Sequence, residues 1–298
     1  MPIPADFSFS QGSLQDYVDC PRRFYLRYVR RLTWPAVESE PILEQERRMQ
    51  AGQAFHRLVH QHALGIPLDR LRPDIPVDGG ASLILGDDLG RWWRNYLLYP
   101  AVSDQVAISH QKRYPEITLS APLRCSAGQD VVDYRLVARY DLIVIEPERP
   151  RAVIVDWKTS ARQPRPGWLA DRLQTRVYRY LLVRAGHPLN GGKPLAPEQV
   201  EMLYWFADFP QQPVRFPYDA ASFAADEAYL STLVGEIAGG AEQDFPLTER
   251  AQACQFCVYR SLCARGVEAG AMDEETAAEV GSEIDFAFEQ IAEVPWSV

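Results

Sequence analysis

An α/β fold is predicted by three observations on this 298-residue sequence. Apolar residues recur at helical spacing between about Glu44 and Pro100, where Gln50 to Leu64 forms one buried face and Trp92, Trp93, Tyr96 and Leu97 a second. From Gln105 to Thr159 the pattern changes to runs rich in Val, Ile and Tyr, separated by Pro, Gly or acidic turns, as in strands. A helix from about Trp168 to Ala185 and a strand at Glu201 to Ala207 follow, so strands and helices share one unit.

The elements are justified in chain order. Between Phe7 and Leu32, Ser10 or Ser13 can cap a helix. Tyr17, Phe24, Tyr25 and Tyr28 supply its aromatic stripe, and Cys20-Pro21 breaks it. A proline-containing loop at Pro67 to Gly80 separates the helical stretches that follow. Three strands are expected at Gln105 to Leu119, Val131 to Ile145 and Ala152 to Thr159. Beyond the strand at 201–207 the pattern predicts a helix near Ala220 to Ala238, a cysteine cluster at 254–263, and an acidic helix from about Met272 to Ala292.

Apolar residues make up 47% of the chain and charged residues 24%, which suits a globular protein and excludes disorder as its main state. No apolar run reaches the length of about 18 residues that a membrane span needs. The first residues lack the basic and apolar regions of a signal peptide, so a cytoplasmic protein is expected. In that reducing compartment five cysteines point to metal binding, catalysis or inert thiols rather than disulfides. The net charge of −9 is unevenly spread. Residues 151–186 carry eight basic and two acidic side chains, and residues 187–298 carry five and nineteen. The overall acidity therefore does not argue against a nucleic-acid partner, because the local field decides. Lysine occurs only at 112, 158 and 193, so a lysine beside an acid invites attention.

Asp141 lies in Tyr-Asp-Leu-Ile-Val-Ile, and Asp156 and Lys158 lie in Val-Asp-Trp-Lys-Thr. Read as adjacent strands joined by the turn Glu146 to Arg151, these segments put Asp141 and Asp156 on one side of a sheet. Asp156 and Lys158, two apart, share a face. An acid and a lysine at the end of an apolar strand are costly to bury without purpose. Phosphodiester hydrolysis uses such a set: carboxylates hold one or two divalent cations, and a lysine orients water or balances charge. The bland alternative is a solvated salt bridge at a strand end. In the next helix Gln174 and Tyr178 share a face, suited to a phosphate or the attacking water. Arg172, Arg176 and Arg179 beside them suit a DNA backbone. His56, on a helix able to cover the site, is a plausible metal ligand in this company and suits manganese as well as magnesium.

Cys254-x2-Cys257-x5-Cys263, with Cys20 far upstream, suits a four-cysteine centre, either tetrahedral zinc or a [4Fe–4S] cluster. Such a centre would staple the N-terminal helix to a segment more than 230 residues away. Cys125 reads as an inert thiol.

Taken together, Cys20-Pro-Arg-Arg-Phe, Gly-Gln-Ala-Phe-His56, Tyr-Asp141, Val-Asp156-Trp-Lys158-Thr, Gln174-x3-Tyr178 and the cysteine trio occur in the order of the RecB-like branch of the PD-(D/E)xK nucleases. More narrowly the chain resembles the iron–sulfur members, the AddB nuclease domain and the stand-alone CRISPR-associated RecB-type exonucleases, from about Ser10 to Arg265. The resemblance implies a restriction-endonuclease-like mixed central sheet flanked by helices. It implies metal (Mg2+ or Mn2+) on His56, Asp141, Asp156 and the backbone carbonyl of Trp157, a catalytic Lys158, and support from Gln174 and Tyr178. It implies a structural [4Fe–4S] cluster on Cys20, Cys254, Cys257 and Cys263. The expected organisation is a nuclease domain at 1–265, with a helical part at about 33–103, a core at about 104–240 and cluster segments at 20 and 254–263, followed by an acidic tail at 266–298. Two positions depart from the branch: Ala138 stands where glycine is frequent, and Asp156 where many relatives have glutamate.

The expected activity is a metal-dependent deoxyribonuclease; the resemblance further implies an exonuclease on single strands or ends, serving DNA repair, recombination or CRISPR adaptation. A motor is not expected: Gly186 to Pro194 has the wrong spacing for a P-loop and no hydroxyl residue after Lys193. The alternative is a non-catalytic subunit of the same fold that binds DNA ends or partners beside a separate helicase.

Overall fold

The computed structural model describes residues 3–4, 6–33, 40–71, 82–99, 111–128, 130–146, 151–255 and 257–266. The acidic helix expected at 272–292, residues 105–110 of the first expected strand and most of the 67–80 loop lie outside them.

The alternating run around Val131 to Ile145 folds as β3 (Asp130–Glu146), on which the sheet is assembled. β2 (Lys112–Ala127) pairs antiparallel with β3 from end to end, with the register skipping Glu116. The other edge of β3 has two neighbours in succession. β1 (Ser8–Ser10) pairs in parallel with Arg135 to Val137, and β4 (Arg151–Lys158) pairs antiparallel from Leu142 to Glu146. β5 (Val200–Phe206) joins β4 in parallel, and β6 (Val214–Pro217) lies antiparallel outside β5. The product is a mixed six-stranded sheet. β1 and β6, of three and four residues, are too short for periodicity to reveal.

Helices cover both faces. α1 (Gln11–Asp19) starts at a reciprocal cap: the Ser13 N–H donates to Ser10 Oγ at 3.1 Å and the Ser10 N–H to Ser13 Oγ at 2.9 Å. Cys20 is extended, Pro21 opens α2 (Pro21–Phe24), and a π-helical turn follows at Tyr25–Val29. α3 (Glu40–Ala63) and α4 (Ser82–Leu98) are the expected helical stretches. The single helix expected from Trp168 to Ala185 is two, α5 (Pro166–Asp171) and α6 (Leu173–Ala185), because Arg172 between them is extended, with ψ 140°. α7 (Ala220–Gly239) is capped by Asp219, which accepts from the Ser222 N–H at 2.7 Å.

One core packs α1, α2, α6 and α7 on the sheet through Leu14, Phe24, Val177, Leu181, Leu230 and Val234. The other packs α3 and α4 on the opposite face through Phe55, Leu58, Trp92 and Tyr96 against Val153, Val155, Trp157 and Trp205. Every residue from Ala152 to Lys158 is buried, as a central strand covered on both faces requires. α7 approaches the β2–β3 hairpin so closely that a Cβ on Gly235 would stand 2.4 Å from the Ser126 carbonyl oxygen. No helix among the described residues is long and apolar enough to cross a membrane.

Candidate active site

The site forms where the sheet forks. β3 leaves β1 after Val137 and meets β4 at Leu142, so the edge from Ala138 to Asp141 lies between two neighbours. Side chains stitch this gap. The Asp141 Oδ2 accepts the Trp157 N–H at 2.9 Å, one step beyond the Leu142–Val155 pair. The Tyr178 hydroxyl, from α6, donates to the Arg139 carbonyl at 2.6 Å, and the Tyr140 hydroxyl donates to the Tyr178 carbonyl at 2.9 Å. Tyr178 thus holds the strand that carries Asp141, rather than facing solvent as a phosphate contact would.

Three ligand-bearing residues converge at the fork. His56, on α3, places Nδ1 3.4 Å from Asp141 Oδ1. One carboxylate oxygen of Glu116 completes a set whose atoms lie within 4.8 Å of one another. One nitrogen and two carboxylate oxygens, half-buried, fit a hard divalent cation such as magnesium or manganese. Burial raises the Asp141 carboxyl, but His56, the Trp157 N–H and Lys158 outweigh it and hold the group below the usual carboxylate range. Glu116 moves the other way: burial first, then the Asp141 charge, push its carboxyl up despite Arg139. Glu116 is absent from the sequence-derived site. Its signal was present, however: a charged residue after Pro115, which has no N–H to donate, inside a run of strand formers.

Asp156 and Lys158 form the second half. Lys158 Nζ is 2.9 Å from Asp156 Oδ2, and both side chains are almost wholly buried, at 3% and 4% exposure. Gln174 on α6 grips both: its Nε2 donates to Asp156 Oδ1 at 2.5 Å, and its Oε1 accepts from Lys158 at 3.1 Å. Tyr204 backs this group from β5, its hydroxyl 3.4 Å from Gln174 Oε1 and its ring 5.7 Å from Lys158 Nζ. The bland alternative, a solvated salt bridge, does not describe this pair. Asp156 is not among the converging trio; its carboxylate is shared between Lys158 and Gln174.

A clamp sets the two halves against each other. Arg48, two turns before His56, donates through Nε at 2.9 Å and Nη2 at 2.6 Å to the carbonyl of Thr159, the residue after Lys158. It also pairs with Asp208, just beyond β5, which accepts from Trp92 Nε1 at 2.8 Å. Gly52 permits the approach: a Cβ there would lie 2.9 Å from Thr159 Oγ1. Gly52→Val is therefore expected to push α3 and His56 away from the fork. Manganese affinity should fall about tenfold or more, with a stability loss of about 1–3 kcal/mol from overpacking; calorimetric titration and urea unfolding read the two effects.

Arg176 and Arg179 of α6, and Arg172 just before it, are engaged by neighbouring groups of the protein. Arg176 Nη1 donates to Asp226 of α7 at 2.9 Å. Arg179 donates to the carbonyls of Thr175 and Pro217 at 2.9 and 3.0 Å, and stacks on Tyr218. Arg172 is buried, its guanidinium 4.6 Å from the Trp168 ring centroid. The row expected to face a DNA backbone thus joins α5, α6 and α7, because Asp226 is a buried acid that needs a cationic partner.

The four clustered cysteines are free thiols, with Cys20 buried at the break before α2 and Cys254, Cys257 and Cys263 half-buried. They sense one another: after burial, Cys20 and Cys254 are among the groups that raise both the Cys257 thiol, pushed up to about 11, and the Cys263 thiol. Backbone and side-chain bonds hold the two segments together, from the Arg22 N–H to the Pro246 carbonyl at 3.1 Å and from the Tyr259 hydroxyl to the Leu32 carbonyl at 2.8 Å. Cys125 is buried on β2, apart from this group, with Sγ 3.5 Å from the Val132 carbonyl.

The sequence matches the PD-(D/E)XK nuclease superfamily over residues 8–264. No curated protein sequence matches it. Among solved structures, one titled "Crystal structure of SSO0001" is similar at 15% identity, covering 86% of this chain and 85% of that one, with a TM-score of 0.35.

Proposed function

The chain belongs to the PD-(D/E)XK nuclease superfamily, and on that premise we propose that it is a divalent-cation-dependent deoxyribonuclease of the RecB-like, iron–sulfur branch. Its proposed substrate is single-stranded DNA or DNA ends, degraded as an exonuclease in repair or CRISPR adaptation, beside a helicase or adaptation proteins. The observation that carries this reading is one fork of the sheet bearing the His56–Asp141–Glu116 set next to a desolvated Asp156–Lys158 pair.

His56 and Asp141, with Asp156 and the Trp157 carbonyl, would hold the cation, which when bound supplies positive charge at the phosphate and acidifies water. Lys158, 2.9 Å from Asp156 Oδ2, is the group that orients the attacking water or balances charge on phosphorus oxygens. Gln174 fixes the mutual geometry of acid and lysine by bonding both. Tyr178 positions Asp141 through the Arg139 backbone. Arg176 and Arg179 are assigned to packing.

The order and spacing of Cys20, Cys254, Cys257 and Cys263 support their assignment to a structural [4Fe–4S] cluster, with tetrahedral zinc as the alternative. The nuclease unit is proposed to run over 1–265, with 266–298 as an appended acidic tail.

The test is cleavage of labelled single- and double-stranded DNA by protein purified without oxygen, with magnesium, manganese or chelator. Cation-dependent shortening from an end is expected, and the product ladder gives polarity. Folded, iron-loaded protein that leaves all these substrates intact overturns the proposal.

A further inference from the structure

We propose that Glu116 and Arg139 form an exchange pair: Glu116 is a ligand of the catalytic cation held in reserve by Arg139, and Arg139, once released, receives the phosphate of the bound strand. This rests on the reading that His56 and Asp141 hold a divalent cation.

The backbone at Glu116 is built for this position. It lies inside a 16-residue strand, as its fifth residue, yet its φ is +51°, in the left-handed region that a glutamate enters only at a cost. The ladder is regular on either side, Pro115 with Leu142 and Ile117 with Tyr140, so the step between sets Glu116 against Asp141. Here the strand changes phase. Tyr134, Leu136, Ala138 and Tyr140 of β3 pack in the larger core; beyond Asp141 it is Ile143 and Ile145 that do, while Leu142 and Val144 pack on the other face. The kink brings the Glu116 carboxylate to His56 and Asp141.

Two carboxylates at that separation repel unless a cation lies near. Arg139 is that cation now, with Nε 2.8 Å from Glu116 Oε2. The partners differ in exposure: the Glu116 side chain is 17% exposed and that of Arg139 52%, so the guanidinium stands at the mouth of the site. Its backbone is fixed by the Thr118 pairing and the Tyr178 hydroxyl, leaving the side chain to move alone. A half-exposed ion pair is weak and easily exchanged. A freed guanidinium beside the site matches phosphate geometry, with two parallel donors.

The experiment measures manganese affinity by calorimetry and the affinity for a short labelled single strand by anisotropy. The strand measurements use a Lys158→Met background that keeps the strand intact, at a temperature where circular dichroism shows the protein folded. Glu116→Gln should weaken manganese binding about tenfold or more. Arg139→Ala should instead tighten it, by roughly two- to fivefold, the worth of an exposed pair. The same Arg139→Ala change should weaken strand binding roughly tenfold with manganese present, and much less without it, when Glu116 still occupies the guanidinium. Glu116→Gly, at ease with the positive φ, should fold at least as stably as the parent and still bind manganese weakly. Unchanged or weaker manganese binding in Arg139→Ala overturns the exchange. Unchanged binding in Glu116→Gln, while His56→Ala and Asp141→Asn lose it, overturns the ligand role and leaves the proposed function standing. Parent protein that binds no manganese overturns both.

Discussion

Lys158→Ala is expected to abolish cation-dependent cleavage, by about a thousandfold or more, and also to lower the unfolding free energy by about 3–5 kcal/mol. The second effect follows from burial. Lys158 and Asp156 are 3% and 4% exposed, 2.9 Å apart. Removing the ammonium leaves a carboxylate in a site where water cannot replace its partner, although the Gln174 amide still donates to it. The two effects separate in the double variant Asp156→Asn, Lys158→Met. It buries no charge and keeps nearly the same volume, so most of the stability should return while activity stays lost. Urea unfolding beside the cleavage assay tests both. A single variant as stable as the parent would mean that water reaches the pair, and the desolvated-site argument would fall with it.

The other large effect is expected at the cysteine group. With the proposed cluster in place, Cys20→Ser should remove its iron and visible absorbance and lower the melting temperature by about 5–10 °C, the response of a chain this size to a loss of roughly 3 kcal/mol. A centre that closes a loop of more than 230 residues removes much chain entropy from the unfolded state, and its binding energy counts toward folding. The loss should not be total, because Arg250 still donates to the Val18 and Asp19 carbonyls at 2.7 and 3.1 Å and Tyr259 still reaches Leu32. At low temperature the variant should therefore retain intrinsic cleavage. Replacing all four cysteines should cost little more than replacing one, since they act as a unit. Cys125→Ser, outside the group, should keep the iron. An iron-free variant that melts with the parent would remove the staple from the account.

Local pattern alone determined a good part of this protein. The Ser10 cap, the Cys20-Pro21 break, the central strand ending in Asp-x-Lys and the helix after it are set by side-chain period, capping chemistry and the missing proline N–H. Each acts within a few residues, so each is legible along the chain. The shared face of Asp156 and Lys158 is legible for the same reason. What they touch on that face is not. Gln174 is sixteen residues from Lys158, and that the amide grips both groups depends on how α6 crosses the sheet.

Tertiary structure decided the rest. Arg176 and Arg179 have the sequence appearance of a phosphate-facing row, but Asp226, 50 residues beyond Arg176, is buried against them and takes their charge. The helix break at Arg172 carries no proline or glycine to announce it. Glu116 joins His56 and Asp141 only because one residue adopts a left-handed backbone that its own propensity disfavours, and the two strands change phase around it. Propensity and periodicity report the average cost of a conformation at each residue. A strained residue, or a charge paired across the fold, exists only where the surrounding packing outweighs that cost, and the packing is a property of the folded chain.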